Sequence, residues 1–206
     1  MRTARDPKER LASYWQKVKS LKQQVKTGDL VTRTGSDMVS NSLCNFNKKE
    51  KSYSHSGLAF IENGEVYVYH TLSGAENPTD KMMREKFDSF CNPVRKNGVG
   101  LFRYDLSPTE NDSLHSIMKD FYKKEMAFDT KFDLKDDSKM YCAEIIYKAL
   151  KQSTENRIIL PTTTVTNLKV KNEAYRNKKF KELTYVAVDN LYLNPYCKEI
   201  TRVKFN

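Results

Sequence analysis

The chain has 206 residues, 36 Lys and Arg against 26 Asp and Glu, and a net charge of +10, which suits one domain spanning 1–206, with an N-terminal helix at about 7–26 ahead of a sizeable core. No apolar run reaches membrane-spanning length and the polar start MRTARDPKER has no signal-peptide core, so localisation stays unassigned: cell envelope or periplasm if an anchor or signal was removed, cytoplasm otherwise. The lysines are scattered among acids and form no nucleic-acid motif, so nucleic acid is not expected as a partner; an acidic partner or a membrane or envelope surface is compatible with the charge, and oligomeric state is open.

In chain order, Asp6-Pro7-Lys8-Glu9 is a capping box with proline at the first helical position. Leu11, Tyr14, Trp15, Val18, Leu21 and Val25 follow at helical spacing, and Gly28 is the expected stop. Residues 30–33 read as a strand and 34–51 as a polar loop or loosely helical segment. Ser54 to His70 reads as a hairpin turned by Asn63-Gly64, the dipeptide that supplies positive φ at both centres of a type I′ turn. A loop at 73–80, a short helix at 86–91 and a strand at 99–104 come next. Ser107-Pro108-Thr109-Glu110 is a second capping box, opening a helix with Leu114, Ile117, Met118, Phe121 and Tyr122 inward. A loop rich in Asp and Phe leads to a helix over about 139–152, capped by Asp137 or Ser138. A Thr-rich loop after Pro161 and strands at 184–189 and 200–205 complete an α+β fold, a mostly antiparallel sheet with helices packed to one side.

The chemistry centres on the hairpin. If Asn63-Gly64 forms the loop, Glu62 faces Glu65 and paired numbers sum to 127, so His55, Gly57 and Ala59 share a face with Val68 and His70. The two imidazoles are then diagonal neighbours, roughly 7–8 Å apart along the backbone, with Gly57 leaving room beside His70. Two surface histidines sharing a face by coincidence would read the same way.

A candidate nucleophile lies in MYCAEIIYKA. Cys142 falls in the first turn of its helix, where free backbone N–H groups and the positive end of the dipole favour a thiolate and lower its pKa. As the first core residue of a helix bearing Ile145, Ile146, Ala149 and Leu150, it also has a purely structural reading. Cys44, Cys91 and Cys197 show no CxxC spacing, so no zinc site is expected, and nothing in their spacing asks for disulfides.

GDLVTRTG (28–35), YSHSGLAFIENGEVYVYH and MYCAEIIYKA, in that order, resemble the YiiX/YebB-like branch of the NlpC-type cysteine hydrolases, the circularly permuted papain-like enzymes. The resemblance covers roughly residues 28–150. It implies that fold, with His55 as base, Cys142 as nucleophile and His70 in the place of the family's third residue, a polar group on the next strand. The implied reaction is hydrolysis of an amide or peptide bond through a thioester, by resemblance on cell-wall-type (peptidoglycan-derived) peptides, with no cofactor and no metal. An acyltransferase or lipid-ester hydrolase, or a non-catalytic ligand-binding module, are the alternatives on the same fold. Arg33, Asp129, Tyr141 and Glu144 lie in or near the motifs and are candidates for substrate binding, although each also has a local reading: a solvated strand end, a loop cap, a core residue and a helix-dipole residue. His115 is expected at the surface with no role. The arrangement as read from the strands needs the start of the Cys142 helix to pack on the face bearing Gly57 and His70; the opposite face, with Leu58 and Tyr67, would break the triad.

Overall fold

A computed structural model describes residues 6–35, 43–169 and 179–205. Helix α1 (Pro7–Lys22) starts as the sequence predicts, with Asp6 Oδ1 accepting the Lys8 N–H at 3.0 Å. It ends at Lys22 rather than continuing to Gly28; only Val18 and Leu21 in it are buried.

Strands β1 (Asp29–Gly35), β2 (His55–Glu62), β3 (Glu65–His70), β4 (Met83–Lys86), β5 (Lys96–Tyr104) and β8 (Cys197–Lys204) form one sheet in the order β4-β3-β2-β1-β5-β8, every neighbour antiparallel. The hairpin has the predicted register, Glu62 opposite Glu65 and Leu58 opposite Tyr69. Asn63 and Gly64 take φ of 51° and 79°, the type I′ signature.

Alternation along the strands divides the interior into two cores. Leu30, Leu58, Phe60, Tyr69 and Phe102 pack with α3 (Pro108–Lys123) and α4 (Cys142–Ser153). Val31, Ala59, Val68, Val99 and Leu101 pack with α1 and the short α2 (Phe87–Phe90). Helices therefore cover both faces, not one. The sequence carries the reason: in β2 and β3 the even-numbered and odd-numbered positions are both largely apolar, and a strand of that kind buries both faces.

Other details differ from the sequence reading: Tyr122 on α3 is exposed and not inward, and β5 and β8 begin at Lys96 and Cys197, ahead of the expected 99 and 200. The Thr-rich stretch after Pro161 is a strand, β6 (Thr163–Lys169), paired with β7 (Lys179–Tyr185) as a separate ribbon. Its β-branched threonines suit a strand as well as a polar loop. The strand expected at 184–189 stops at Tyr185, and α5 (Val188–Tyr192) follows, opened by Asn190 Oδ1 accepting the Ala187 N–H at 2.8 Å. Helix α4 begins at Cys142, not near Lys139, because Asp136 takes the Ser138 N–H into a local turn at 2.9 Å.

Gly57 is a point of close approach. A Cβ there would sit 2.5 Å from Val68 Cγ1, 3.0 Å from the Tyr69 carbonyl oxygen and 3.2 Å from His70 Cβ. Because one of these contacts is backbone, Gly57→Ala should force β2 and β3 apart and cost about 1–3 kcal/mol. A denaturant midpoint equal to that of the wild type would show that the hairpin has slack there.

Candidate active site

The polar residues on the α1–α2 side of the sheet converge at one end of it. The β1–β2 ladder ends at the pair Arg33–His55. His55 Nε2 lies 2.9 Å from His70 Nδ1, and His70 Nε2 lies 3.0 Å from Glu85 Oε1 on β4. Arg33 donates to Glu76 Oε2 at 3.1 Å, to the Phe90 carbonyl at 3.0 Å and to Glu85 Oε1 at 3.4 Å. Lys96 Nζ donates to the same Glu76 at 2.8 Å. Phe90 covers the group: its ring lies 5.1 Å from the His70 ring, and the Arg33 guanidinium stands 4.3 Å from its centroid. Arg33 is thus a buried ion-pair residue and not a solvated strand end.

Burial sets the charge states here. It pushes His55 well below the ordinary histidine range, with the Arg33, His70 and Lys96 charges acting the same way. His70 is lowered by burial too, against the opposing pull of Glu85. Burial pushes Glu85 upward, but the His70 hydrogen bond and the nearby cations outweigh it, and its carboxyl stays below the usual range. The resting group is therefore a carboxylate and two neutral imidazoles.

Cys142 is the first residue of α4 and is 8 % exposed. Glu144 Oε2 accepts the Tyr141 N–H at 3.2 Å, closing the helix start behind it. Burial raises the Cys142 thiol pKa; Ser56 and the N–H groups of Ala143 and Cys142 itself pull it down but do not win. The helix-start effect expected from the sequence is present, yet desolvation is larger, and the net shift is opposite to the expected one.

The face expectation also fails. Helix α4 packs on the Leu58 and Phe60 face, and Cys142 lies against Ser56. His55 and Cys142 nevertheless line the same cavity, of about 520 Å³, whose wall also includes Arg33, Gly35, Ser54 and Lys96. This cavity lies past the last β1–β2 pair, beside the irregular register at Thr34–Gly35. Beyond that pair β1 stays paired with β5 but no longer with β2, so strand parity does not separate residues at the first position of β2.

The other candidates divide. Arg33 and Tyr141 line the cavity, and the Tyr141 hydroxyl accepts the Val186 N–H at 2.7 Å. Asp129 caps its own loop, accepting from Lys131 and Asp133 N–H at 2.7 Å each. Glu144 is buried beside Lys148 Nζ at 2.7 Å and is pushed up to about 7 by that burial. Neither Asp129 nor Glu144 lines the cavity. His115 is not a plain surface residue: it stacks on Phe60 at 4.3 Å and hydrogen-bonds Glu62 at 2.8 Å. Glu85, Glu76 and Lys96 were missed. Glu85 sits in the four-residue strand MREK, too short to show an alternation from which a face could be read.

The model for the family described as permuted papain-like amidase enzymes, YaeF/YiiX, C92, matches residues 24–201. The chain belongs to this family. Among solved structures, the crystal structure of the metalloprotein YiiX from Escherichia coli O157:H7 is similar, with a TM-score of 0.69 and 16 % identity over 88 % of this chain and 99 % of that one. At that identity the likeness speaks to the fold, a permuted papain-like one. No curated protein matches the chain. This C92-family member is accordingly a cysteine hydrolase of the peptidase and amidase type at the level of the family.

Proposed function

We propose that the protein hydrolyses an amide bond through a thioester on Cys142, with His55 as the base and His70 as its orienting partner. The observation that carries this is the shared cavity: a cysteine at a helix N-terminus and a histidine held through Nε2 open into one space. With Nε2 bound to His70, Nδ1 is the nitrogen left for proton transfer. His55 Nδ1 takes the thiol proton as Sγ bonds to the carbonyl carbon. The backbone N–H of Cys142, free of any intrahelical partner at the first helical position, stabilises the oxyanion. The C–N bond then breaks, the leaving amine takes the proton from Nδ1, and water releases the acyl group by the reverse sequence. Because the resting thiol and imidazole are both neutral, proton transfer accompanies attack in place of a preformed ion pair.

The family's amidase description supports a peptide-type substrate. The cavity favours a substrate with an apolar group, since Phe46, Phe128, Phe132, Tyr185 and Val188 form much of its wall. This lining keeps the lipid-ester or acyltransferase reading as the second one. Assaying one chromogenic leaving group on peptidyl and long-chain acyl donors separates the two readings. YiiX is described as a metalloprotein; in this chain both His70 nitrogens and one of His55 are taken by hydrogen bonds, and no metal-binding cluster exists among the described residues, so the site does not fit a metal.

Alkylation with iodoacetamide tests the thiol–base pair without a substrate. Cys44, Cys91 and Cys197 are also raised by burial and line no such pairing. Cys142 should label first at neutral pH. In His55→Ala its labelling should become slow at pH 7 and climb only as the pH rises above about 9, where the raised thiol ionises unaided. Equal, slow labelling of all four cysteines in the wild type would favour a ligand-binding module without turnover.

A further inference from the structure

Glu85 lies outside every motif quoted from the sequence, yet it ends the chain of hydrogen bonds that begins at His55. Its Oε1 is 3.0 Å from His70 Nε2 and 3.4 Å from Arg33 Nη1. An ionised carboxylate only accepts, so the hydrogen in the first bond sits on His70 Nε2. A neutral imidazole carries one N–H, so His70 Nδ1 is bare and accepts. The 2.9 Å bond to His55 is then donated by His55 Nε2–H, and His55 keeps its lone pair on Nδ1. The opposite arrangement uses the same distances: His70 Nδ1–H donating to His55 Nε2. That arrangement puts the proton of His55 on Nδ1 and leaves no basic nitrogen facing away from His70.

We propose that Glu85 is a positioning residue that selects between these two arrangements and holds His55 in the Nε2–H form. Three adjacent strands supply the relay, with His55 on β2, His70 on β3 and Glu85 on β4, where Val68 faces Glu85 and His70 faces Met83. Arg33 fixes the carboxylate from the second side. Without an acceptor at Glu85, nothing in the relay distinguishes its two directions.

The tautomers follow from these contacts and from the charge states of Glu85 and the two imidazoles; their consequence for rate rests on the hydrolase reading above. The chain has three histidines, so two-bond proton–nitrogen NMR of the full, nitrogen-15-labelled protein resolves each ring. Wild-type His55 and His70 should both be Nε2–H tautomers. Glu85→Leu should move His55 to a mixture or to Nδ1–H. Glu85→Gln should preserve both tautomers, because the two donors at Oε1 hold the amide oxygen there and keep its NH₂ away. His115, on α3 and bonded to Glu62, reports whether each variant is folded. In parallel, kcat should fall at least about tenfold in Glu85→Leu with KM little changed, and Glu85→Gln should recover most of it. His55 as Nδ1–H in the wild type, or unaltered tautomers in a folded Glu85→Leu, would overturn the proposal; the first of these is decided without any variant. Tautomers that respond while kcat does not would leave Glu85 in its role and remove His55 as the base.

Discussion

Cys142→Ala should abolish hydrolysis while leaving the protein folded. The loss should be on the order of 10⁴-fold or more, since removing the nucleophile of a covalent mechanism leaves only binding and oxyanion stabilisation. Cys142 contributes one sulfur atom at the wall of a cavity, and its neighbours Ala143, Ile145 and Ile146 keep α4 anchored in the core. Stability should therefore change by no more than about 1 kcal/mol. Single-turnover assays on a chromogenic amide, together with thermal melts, check both halves. Retention of more than a few per cent of the wild-type rate in a folded variant would remove Cys142 as nucleophile.

The second large effect concerns the two imidazoles, and here the order of the losses carries the information. His55→Ala should lose about 10²–10⁴-fold in kcat/KM, the usual worth of a general base. His70→Ala should lose less, about tenfold or somewhat more, because His55 remains but its Nε2–H has no acceptor to fix the ring. His70→Glu should fall between His70→Ala and the wild type. Its new carboxyl would lie near Glu85, and two carboxyls in a buried site share a proton. A protonated carboxyl still offers a carbonyl oxygen to His55, and Arg33 and Lys96 offset the added charge. The ranking of kcat/KM is therefore wild type, His70→Glu, His70→Ala, His55→Ala. A wild-type rate in His70→Ala would reduce the site to a Cys142–His55 pair, whatever the hydrogen bonds suggest.

Some of this was legible without coordinates. Asn63-Gly64 sets the hairpin register because a type I′ turn demands positive φ at two successive positions, and once the turn is set strand periodicity puts His55, Gly57 and His70 on one face. The N-caps at Asp6 and Ser107 are equally local, and both helices begin where those residues require, although only Ser107 closes a reciprocal capping box with its Glu110; Asp6 accepts from Lys8 instead. The ordered motifs around Gly28, His55 and Cys142 were enough to point to the family whose model matches residues 24–201. What the chain could not disclose is whatever depends on groups distant in sequence. Parity along β2, taken with the triad, required Cys142 on the His70 face, but α4 packs on the Leu58 face and the cavity opens where the β1–β2 ladder ends, a place no strand pattern marks. A helix-start argument lowered the Cys142 pKa, whereas the depth of the surrounding core, which only packing decides, raises it. Glu85 reaches His70 because a four-residue strand pairs with β3 in one register among several, chosen by the tertiary fold. Local steric and hydrogen-bonding rules thus determined turns, caps and the hairpin face; desolvation and long-range pairing, which sum over the whole molecule, decided protonation and which residues share the cavity.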